Sequence, residues 1–382
     1  MTNETHNRTW AEINIKNLKY NYQNIRHIIP KETKVCCVVK ANAYGHGAKQ
    51  IAKCLQDEGA DWFAVSNIAE ALELREGGIY RPILILGYTP CEFAHLLAKN
   101  KISQCVFSLD YANKLSEYAK RYDCTINIHI KIDTGMGRIG FDGIGEKRST
   151  IDEILEACNL DNLYPEGIFT HFSQADNGDK GKEFTIEQFN RFTKAIDVLK
   201  SKGIEFKIKH CSNSAAIIDY PEFSLDMVRP GIILYGLNPS DLLKKCISLL
   251  PVMKLKTIIS YIKEVDINTP VSYGSEYVTT KKQRIATLPI GYADGLWRSN
   301  FKNQSKLLIN NKFVSIIGRI CMDQTMIDIT DIDTAKEEDE VVIFGDDERL
   351  VSADKLAQNN GSIGYEMICS VSNRVPRIYI NK

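Results

Sequence analysis

Short apolar segments alternate with longer amphipathic segments from about residue 15 to residue 240. The apolar segments have the length of β-strands, and the segments between them show the apolar spacing of helices. Strands that alternate with helices predict repeated βαβ units and a parallel sheet. Eight strands are predicted, at residues 34–41, 62–66, 82–87, 104–108, 125–133, 167–172, 207–211 and 227–235. Eight units in about 225 residues favour a (β/α)8 barrel, and an open doubly wound sheet is the alternative.

The pattern changes after residues 236–241, a stretch of Gly, Asn, Pro, Ser and Asp that is typical of a domain boundary. Beyond it, segments rich in Val, Ile and Thr predict strands at 252–265, 283–290, 306–319, 326–330 and 340–344, with a short helix near 353–359. We therefore predict a barrel domain of residues 1–241 and a mostly-β domain of residues 242–382. Residues 1–15 are a candidate to pair with the β domain, since 9–15 alternate like a strand.

Composition excludes several classes of protein. Lys plus Arg and Asp plus Glu both number 48, so the net charge is zero, which argues against a nucleic-acid or acidic-membrane partner. No apolar run approaches the roughly 18–20 residues of a membrane span, and the first ten residues lack an apolar signal core. The 11 cysteines include no C-x-x-C pair and do not cluster with His. We expect a cytoplasmic protein with reduced thiols and no metal site.

Lys40 ends an almost wholly apolar predicted strand and precedes a Gly-rich turn. In a barrel, active sites lie at the carboxyl ends of the strands. Burial there would lower the pKa of the lysine, and a neutral amine can form a Schiff base with a carbonyl. The ordinary alternative is a strand-end lysine that reaches solvent.

The sequence around Lys40 is more specific than its position. VVKANAYGHG at residues 38–47 resembles the pyridoxal-phosphate (PLP) lysine motif of alanine racemases. Similar motifs follow in the order of that family: KIDTGMGRIG (131–140), THFS (170–173), NSAA (213–216), RPGI (229–232), VSYG (271–274), LPIGYADG (288–295) and GRICMDQ (318–324). The resemblance runs from about Trp10 to Tyr379, and it implies a PLP-binding barrel followed by a β domain.

The resemblance also implies a set of cofactor contacts. Lys40 would hold PLP, and Arg229 would face its pyridine nitrogen. A guanidinium does not readily give up a proton, so that nitrogen would stay unprotonated and the ring would be a weaker electron sink. His171 would stack by the ring and connect to Arg229. The implied phosphate ligands are Tyr44, Ser214, Gly231, Ile232 and Tyr365. Taken alone, Ser214 would be interpreted as a helix N-cap.

Racemisation needs a proton removed from one face of Cα and another returned to the opposite face. Lys40 can serve one face, and Tyr273 matches the opposite-face base of the family. A tyrosine starts near pKa 10, so it needs nearby cations, which Arg138 could supply. The resemblance implies that Arg138 and Met322 bind the substrate carboxylate. It also implies that Tyr273 and Met322 come from the partner subunit of a homodimer with shared active sites.

Lys131 belongs to a strand in which Ile alternates with Asn127, His129, Lys131 and Asp133. The polar face of such a strand should point into the barrel. Lys131 and Arg138 would then repel each other unless one is neutralised. One solution is an ion pair with a carboxylate such as Asp133. The other, implied by the resemblance, is that Lys131 is carbamylated and becomes an anion.

The resemblance implies an isomerase that interconverts L-alanine and D-alanine by two-base proton transfer at Cα of a PLP external aldimine. The D-alanine would supply peptidoglycan. A racemase of broader specificity or a serine racemase of the same fold is the nearest alternative, because an apolar pocket rejects an added hydroxyl poorly. A barrel-type PLP decarboxylase and a non-catalytic PLP-binding protein are further alternatives.

Overall fold

The computed structural model describes residues 8–142, 148–303, 305–345 and 351–381. Its strands are β1 (Thr9–Asn14), β2 (Lys34–Val38), β3 (Trp62–Val65), β4 (Ile83–Ile85), β5 (Ile102–Val106), β6 (Ile126–Asp133), β7 (Phe141–Asp142), β8 (Leu163–Phe169), β9 (Ile208–His210), β10 (Met227–Val228), β11 (Met253–Ile258), β12 (Tyr261–Val265), β13 (Pro270–Val271), β14 (Tyr277–Val278), β15 (Gln283–Leu288), β16 (Lys306–Ile309), β17 (Lys312–Ile317), β18 (Thr325–Asp328), β19 (Glu340–Phe344) and β20 (Arg377–Ile380). Its helices are α1 (Ile15–Ile28), α2 (Ala48–Asp57), α3 (Ile68–Glu76), α4 (Ala94–Lys99), α5 (Leu109–Arg121), α6 (Arg148–Cys158), α7 (Gly178–Ser201), α8 (Ser214–Asp219), α9 (Ala353–Gln358) and α10 (Gly364–Ser370).

The chain divides into two compact units. The barrel unit comprises Lys19–Ala43 and Ala48–Leu249. The β unit comprises Met1–Leu18, Tyr44–Gly47 and Leu250–Lys382. Short segments from the first fifty residues therefore belong to the β unit, although they are distant from it in sequence.

The barrel unit is a parallel sheet with the strand order β10-β2-β3-β4-β5-β6-β8-β9, and β7 pairs with β6 at its edge. The backbone N–H groups of Asp226 and Arg229 donate to the carbonyl oxygens of Lys209 (3.1 Å) and Ser212 (2.9 Å), which joins the last strand region to the first. Eight parallel strands with helices between them confirm the predicted (β/α)8 barrel.

The barrel strands are apolar because parallel strands between helices and a packed interior are buried on both faces. β3 and β4 are buried along their whole length. β6 places polar residues in the interior, since the ring of His129 contacts Trp62 of β3 and His210 of β9. Lys131 lies two residues further on the same face and is also buried. The alternation of apolar and polar residues along β6 therefore predicted which face of the strand points into the barrel.

Capping residues set the start of several helices. The side chains of Asn67, Ser108 and Asn213 accept hydrogen bonds from backbone N–H groups in the first turns of α3, α5 and α8, respectively. The N-cap of α8 is therefore Asn213. Ser214 is the first residue of that helix, and the N-cap interpretation of Ser214 is wrong by one position.

The predicted strand at 227–235 is too long. β10 ends at Val228, and residues Ile232–Tyr235 form a 3-10 turn. Pro230 has no N–H to donate to a strand ladder, and Gly231 has φ −118° and ψ −97°, outside the strand region. The chain therefore turns directly after Arg229.

The β unit contains a sheet with the order β12-β15-β18-β17-β16-β19-β11-β1-β20. β1 pairs antiparallel with β11 and parallel with β20, so residues 9–14 belong to this sheet. Residues 1–7 of the predicted N-terminal arm lie outside the described residues. The segments predicted as single strands at 252–265 and 306–319 each form two strands.

No helix in the described ranges is long and apolar enough to cross a membrane. The same ranges contain no cluster of three or more His, Cys, Asp or Glu residues that could hold a metal ion. The 11 cysteines are free thiols, and most of them are buried or half-buried.

Candidate active site

The backbone after Lys40 forms a left-handed turn. Lys40 is half-buried and stands two residues after the end of β2. The next four residues, Ala41, Asn42, Ala43 and Tyr44, have φ of 51°, 54°, 53° and 51°. Residues other than glycine pay roughly 1–2 kcal/mol each for this conformation. Strain of this kind clusters at functional sites, so the turn marks the end of β2 as a site that the surrounding structure must hold.

Side chains of the barrel unit hold this turn. The carboxylate of Glu70 accepts hydrogen bonds from the backbone N–H groups of Ala41 (2.8 Å) and Ser66 (2.7 Å). The side-chain oxygen of Asn42 accepts one from the N–H of Ala48 at 2.8 Å. Glu70 lies in the first turn of α3, and Ser66 directly follows β3. The carboxylate thus ties the residue after Lys40 to the carboxyl end of the adjacent strand.

Arg229 follows β10, which pairs in parallel with β2, so Arg229 and Lys40 follow neighbouring strands. Arg229 is 3% exposed, and burial lowers its pKa to about 10, which leaves it a cation at neutral pH. No carboxylate in the described part of the chain lies within ion-pairing distance of it. Its Nη atoms donate to His210 Nδ1 (2.8 Å), Thr170 O (2.8 Å), Cys211 O (3.0 Å) and His171 Nδ1 (3.3 Å).

His171 stands two residues after the end of β8 and is half-buried. Burial lowers its pKa well below the ordinary value, and the cations Arg229, Arg138, Lys131 and Lys40 lower it further. The imidazole is therefore neutral at pH 7. Because Arg229 only donates, Nδ1 of His171 is the acceptor and its single proton is on Nε2.

Asp133 organises the turn that carries Arg138. Oδ1 accepts the N–H groups of Gly135 (2.9 Å), Met136 (2.8 Å) and Gly137 (3.1 Å), and Oδ2 accepts that of Arg138 (3.0 Å). Burial would raise the pKa of Asp133, but these four bonds outweigh it and lower the pKa below its usual value. The side chain of Arg138 is exposed above this turn.

Lys131 forms no ion pair with any residue in the described part of the chain. It is 2% exposed, its Nζ is 3.4 Å from the carbonyl oxygen of Ile132, and it lies 5.5 Å above the ring of Phe169. No carboxylate of the described residues pairs with it. The ion pair with a carboxylate such as Asp133, one of the two alternatives for neutralising Lys131, does not form among these described residues, and both oxygens of Asp133 accept backbone N–H groups of the following turn. Burial lowers the pKa of Lys131 to about 8.

The predicted phosphate ligands of the barrel unit lie together at the start of α8 and after β10. The N–H of Gly231 donates to Oγ of Ser214 at 2.9 Å. Ile232 begins the 3-10 turn, and the first N–H groups of a helical turn have no acceptor within it. The Ser214 hydroxyl proton and the Ile232 N–H are the donors that this arrangement offers to an anion.

In the β unit, Tyr44 and Tyr365 are neighbours. Their ring centroids are 6.2 Å apart at an interplanar angle of 53°. Burial raises the pKa of Tyr44 above its usual value, so its phenol keeps its proton and remains a hydrogen-bond donor. The sequence predicts both residues, but their proximity follows only from the fold.

Tyr273 lies in a 3-10 turn, Tyr273–Ser275, between β13 and β14. The preceding Ser272 has φ +66° and ψ −174°, a region that is essentially restricted to glycine. Its hydroxyl donates to the carbonyl oxygen of Arg319 at 2.6 Å, which holds the strained residue. The phenol is on the surface of the single chain, since Tyr273 is 68% exposed.

Met322 is 53% exposed and belongs to a loop anchored by charged residues of the β unit. Arg374 donates to Asp323 at 2.6 Å and to both oxygens of the buried Asp294 at 2.7 and 3.1 Å. Asp294 also accepts the N–H of Gly291 at 2.9 Å. Arg374 thus fixes the residue next to Met322.

Comparison with known proteins places the chain in a family. The family model "Alanine racemase, N-terminal domain" matches residues 13–239, and "Alanine racemase, C-terminal domain" matches residues 252–379. The chain belongs to the alanine racemase family. The resemblance carried by the sequence motifs is confirmed, as is the predicted class of enzyme, an isomerase.

Relatives cover nearly the whole chain. An alanine racemase of Methanococcus maripaludis is 46% identical over 374 residues, which are 97% of this chain and 98% of that protein. The solved alanine racemase of Clostridium difficile 630 has a TM-score of 0.94 at 46% identity and covers 99% of this chain and 97% of its own. That of Bacillus anthracis, solved with bound L-Ala-P, has a TM-score of 0.91 at 34% identity, with coverage of 98% and 96%.

Sequence motifs of the alanine racemase family pointed to Lys40, Arg229 and Tyr273, but they missed the residues that hold these side chains in place. Glu70 was missed although Asn67-x-x-Glu70 has the spacing of a capping box, because its contact with Ala41 depends on which strands are neighbours. His210 was included only as part of a strand, and its contact with Arg229 was not expected.

Proposed function

We propose that this chain interconverts L-alanine and D-alanine with pyridoxal phosphate as its cofactor. The observation that carries the proposal is the pair of cationic side chains after the adjacent strands β2 and β10. Lys40 supplies an amine, and Arg229 is a buried cation whose acceptors are all neutral. An electron-poor aromatic ring with an unprotonated nitrogen is the ligand that suits such a guanidinium.

The donors of the barrel unit fit this cofactor. No described residue accepts a hydrogen bond from Nε of Arg229, so that N–H is available to a pyridine nitrogen. The Ser214 hydroxyl and the Ile232 N–H suit a phosphate, and Gly231 orients Ser214 by donating to it. We propose the phenols of Tyr44 and Tyr365 as further phosphate donors. When bound, pyridoxal phosphate supplies the electron-withdrawing ring that makes the Cα proton of an amino acid acidic.

Lys40 would hold the cofactor and then move a proton at one face of Cα. Its amine must be neutral when it accepts that proton. The strained turn held by Glu70 and Asn42 positions this amine. Arg229 would stay protonated and would leave the pyridine nitrogen of the cofactor without a proton. Less negative charge would then be delocalised onto the cofactor ring, which would limit the reaction to proton exchange at Cα.

Tyr273 would move the proton at the opposite face, from the partner subunit of a homodimer. Its exposure in the single chain supports this assignment, because a catalytic base must be covered to work in a low-dielectric site. Met322, exposed in the same unit, would bind the substrate carboxylate through its N–H, and Arg138 would bind it through its guanidinium. In this proposal the barrel unit supplies Lys40 and Arg229 to the cofactor, and the β unit supplies the second base.

We propose that Lys131 is carbamylated. Its buried amine forms no ion pair among the described residues and has a pKa of about 8, so an appreciable neutral fraction can react with carbon dioxide. The resulting anion would face Arg138 and replace repulsion with attraction. We further propose that the enzyme is cytoplasmic and that its D-alanine supplies peptidoglycan.

The test is the optical rotation of L-alanine solutions over time with purified full-length protein and added pyridoxal phosphate, with L-serine in parallel. We expect decay to zero for alanine, much faster than for serine. Lys40→Ala should abolish the decay, and Lys53→Ala, an exposed lysine on α2, should leave it unchanged. Equal or faster decay for serine would favour a serine racemase. No decay for either amino acid with cofactor bound would overturn the proposal.

A further inference from the structure

A continuous chain of polar side chains crosses the interior of the barrel unit from Arg229 to Glu166. Nη1 of Arg229 is 2.8 Å from Nδ1 of His210. Nε2 of His210 is 2.9 Å from Nδ1 of His129. Nε2 of His129 is 3.5 Å from Oε2 of Glu166. Both histidines are completely buried, so water does not compete for their ring nitrogens.

The order of donors and acceptors along this chain is fixed from the Arg229 end. A guanidinium has only donors, so Nδ1 of His210 must accept. Burial lowers the pKa of both imidazoles, and each ring therefore carries a single proton. That of His210 is on Nε2 and is donated to Nδ1 of His129. The proton of His129 is then on its Nε2, which points towards Glu166.

Glu166 is the acceptor that completes the chain. Nε2 of His129 makes no close hydrogen bond to the described residues, and its ion-pair contact among them is Oε2 of Glu166 at 3.5 Å, where the carboxylate attracts the Nε2–H electrostatically. Burial would raise the pKa of Glu166, but its interactions with His129 and Ser103 outweigh burial and keep the pKa below its usual value. The hydroxyl of Ser103 donates to the same oxygen at 2.7 Å. Glu166 is therefore a carboxylate at neutral pH.

The position of Glu166 separates it from the proposed chemistry. It is the fourth residue of β8, whereas His171 stands beyond the carboxyl end of that strand. The side chain is 17% exposed, so part of it reaches solvent. The rings between the two ends are held by packing. Phe169 stacks on His210 at 4.8 Å, and Trp62 contacts the edge of His129 at 5.4 Å.

We propose that Glu166 is a positioning residue for racemisation, because its carboxylate at the far end of the chain stabilises the Nε2–H tautomers of His129 and His210 that Arg229 requires. The inference rests on the proposed function, which gives Arg229 its role at the cofactor ring. Without the carboxylate, the buried Nε2–H of His129 loses its acceptor. The alternative tautomer of His210 would place an N–H against the donor of Arg229 and turn the guanidinium away.

The consequences differ between variants of the same carboxylate. Glu166→Gln keeps the shape but removes the charge, and its amide can also present a donor to His129. Glu166→Asp keeps the charge and should restore most of the effect. Ser103→Ala removes the other hydrogen bond to Glu166 and leaves the chain to Arg229 intact. Glu205→Gln changes an exposed glutamate paired with Lys200 and is the matched control.

The experiment combines two readouts on the full-length protein. Nitrogen-15 NMR of labelled histidine rings reports the tautomers, and steady-state racemisation of L-alanine with saturating pyridoxal phosphate reports kcat and KM. We expect Nε2–H tautomers for His129 and His210 in the wild type. In Glu166→Gln, both tautomer signals should change and kcat should fall about tenfold with KM within about twofold, the size expected for one charge-assisted hydrogen bond. Glu166→Asp, Ser103→Ala and Glu205→Gln should stay close to the wild type.

Wild-type Nδ1–H tautomers would overturn the inference, as would a folded Glu166→Gln protein with unchanged tautomers and kcat. If Glu166→Gln does not fold, the tautomers of the wild type and the behaviour of the Glu166→Asp protein still decide whether the inference about Glu166 holds. A wild-type protein that binds pyridoxal phosphate but does not racemise alanine contradicts the proposed function instead. In that case the tautomers of the wild type and of Glu166→Gln still test whether Glu166 orders the chain.

Discussion

Lys131 is unusual at the scale of single residues, because a buried ammonium normally has an acidic partner. Its surroundings are the carbonyl oxygen of Ile132, the face of Phe169 and the cations Arg229 and Arg138. Burial has the largest effect on the pKa of Lys131, and together with these cations it favours the neutral amine against the opposing effects of Cys105 and Asp133. Conversion of that amine to a carbamate would remove the repulsion, which is why modification is the simplest account of this position.

We predict a carbamate on Lys131. Protein equilibrated with carbon-13-labelled bicarbonate should give a carbamate signal by carbon-13 NMR, and Lys131→Met should lack it. The neutral amine is the reactive form, so the signal should weaken as the pH falls below about 8, the pKa of the unmodified amine. Lys53→Met, an exposed lysine, is the control. A wild-type spectrum without the signal at pH 8 would contradict the prediction.

Asp133→Asn should destabilise the protein. The carboxylate accepts four backbone hydrogen bonds, and we expect a loss of about 2 kcal/mol in the free energy of unfolding at pH 7. The folded pKa of Asp133 is depressed, so this contribution is present above the unfolded pKa and is lost as the pH falls through the folded pKa. Urea denaturation at pH 7 and in mild acid measures the difference in the free energy of unfolding between Asp133→Asn and the wild type. We expect this difference to be smaller in acid. An equal difference at both pH values would contradict the expected pH dependence.

Sequence motifs could indicate the side chains of the candidate site because their chemistry is specific to their residue types. They could not indicate how those side chains are paired. Asp133 was a reasonable partner for Lys131 from spacing alone, but the turn after β6 brings four N–H groups onto the carboxylate. Glu166 and His210 are far apart in sequence, and the pairing of the neighbouring strands β6, β8 and β9 connects them through His129.

At the scale of elements, the left-handed turn after Lys40 is the feature that sequence patterns least suggest. Its residues include Ala41 and Ala43, which normally favour right-handed helices. Hydrogen bonds from distant parts of the barrel unit hold it in place, and Glu70 provides one of them. Local propensity is overridden here by tertiary contacts.

Glu70→Ala should weaken pyridoxal-phosphate binding about tenfold, because the turn that positions Lys40 loses a charge-assisted hydrogen bond. Equilibrium dialysis followed by absorbance of the retained cofactor measures this. Glu76→Ala changes an exposed glutamate of the same helix and should leave binding unchanged. Equal cofactor retention in Glu70→Ala and wild type would show that the turn does not depend on this carboxylate.

Gly45 directly follows the left-handed turn after Lys40. Within the β unit, it lies close to the backbone of Ile368. It has φ +83°, and a Cβ built there would be 2.4 Å from the carbonyl oxygen of Ile368. Gly59 has φ +96° but open space around it. Both Ala variants should lose about 1 kcal/mol for backbone strain, and Gly45→Ala should lose roughly 1–3 kcal/mol more for the overlap. Chemical denaturation compares them, and equal losses would contradict the close approach.

The sequence predicted which segments form strands more accurately than it predicted where each strand begins and ends. Residues 306–319 are apolar enough to suggest one strand, but Asn310 and Asn311 have φ of 48° and 59° and form a two-residue hairpin turn. Asparagine tolerates this conformation, so the pair was a usable signal. The early end of β10 was likewise signalled by Pro230, whereas the apolar residues after it suggested a longer strand.

At the scale of the whole molecule, both proposed groups of the β unit are exposed in the single chain. The phenol of Tyr273 and the loop that contains Met322 lie on the surface. The strained backbone at Ser272 indicates that the orientation of the phenol is fixed. A second copy of the chain is the partner that would bring Tyr273 to Lys40 in a symmetric assembly.

Co-expression of Lys40→Ala and Tyr273→Phe chains is the measurement that tests a shared two-base site most directly. Each variant alone should fail to racemise alanine. About half of randomly assembled dimers contain one chain of each kind, and each such dimer has one intact site, so the mixture should recover about one quarter of the wild-type activity. Mixed dimers that form but are no more active than the single variants would contradict the shared site.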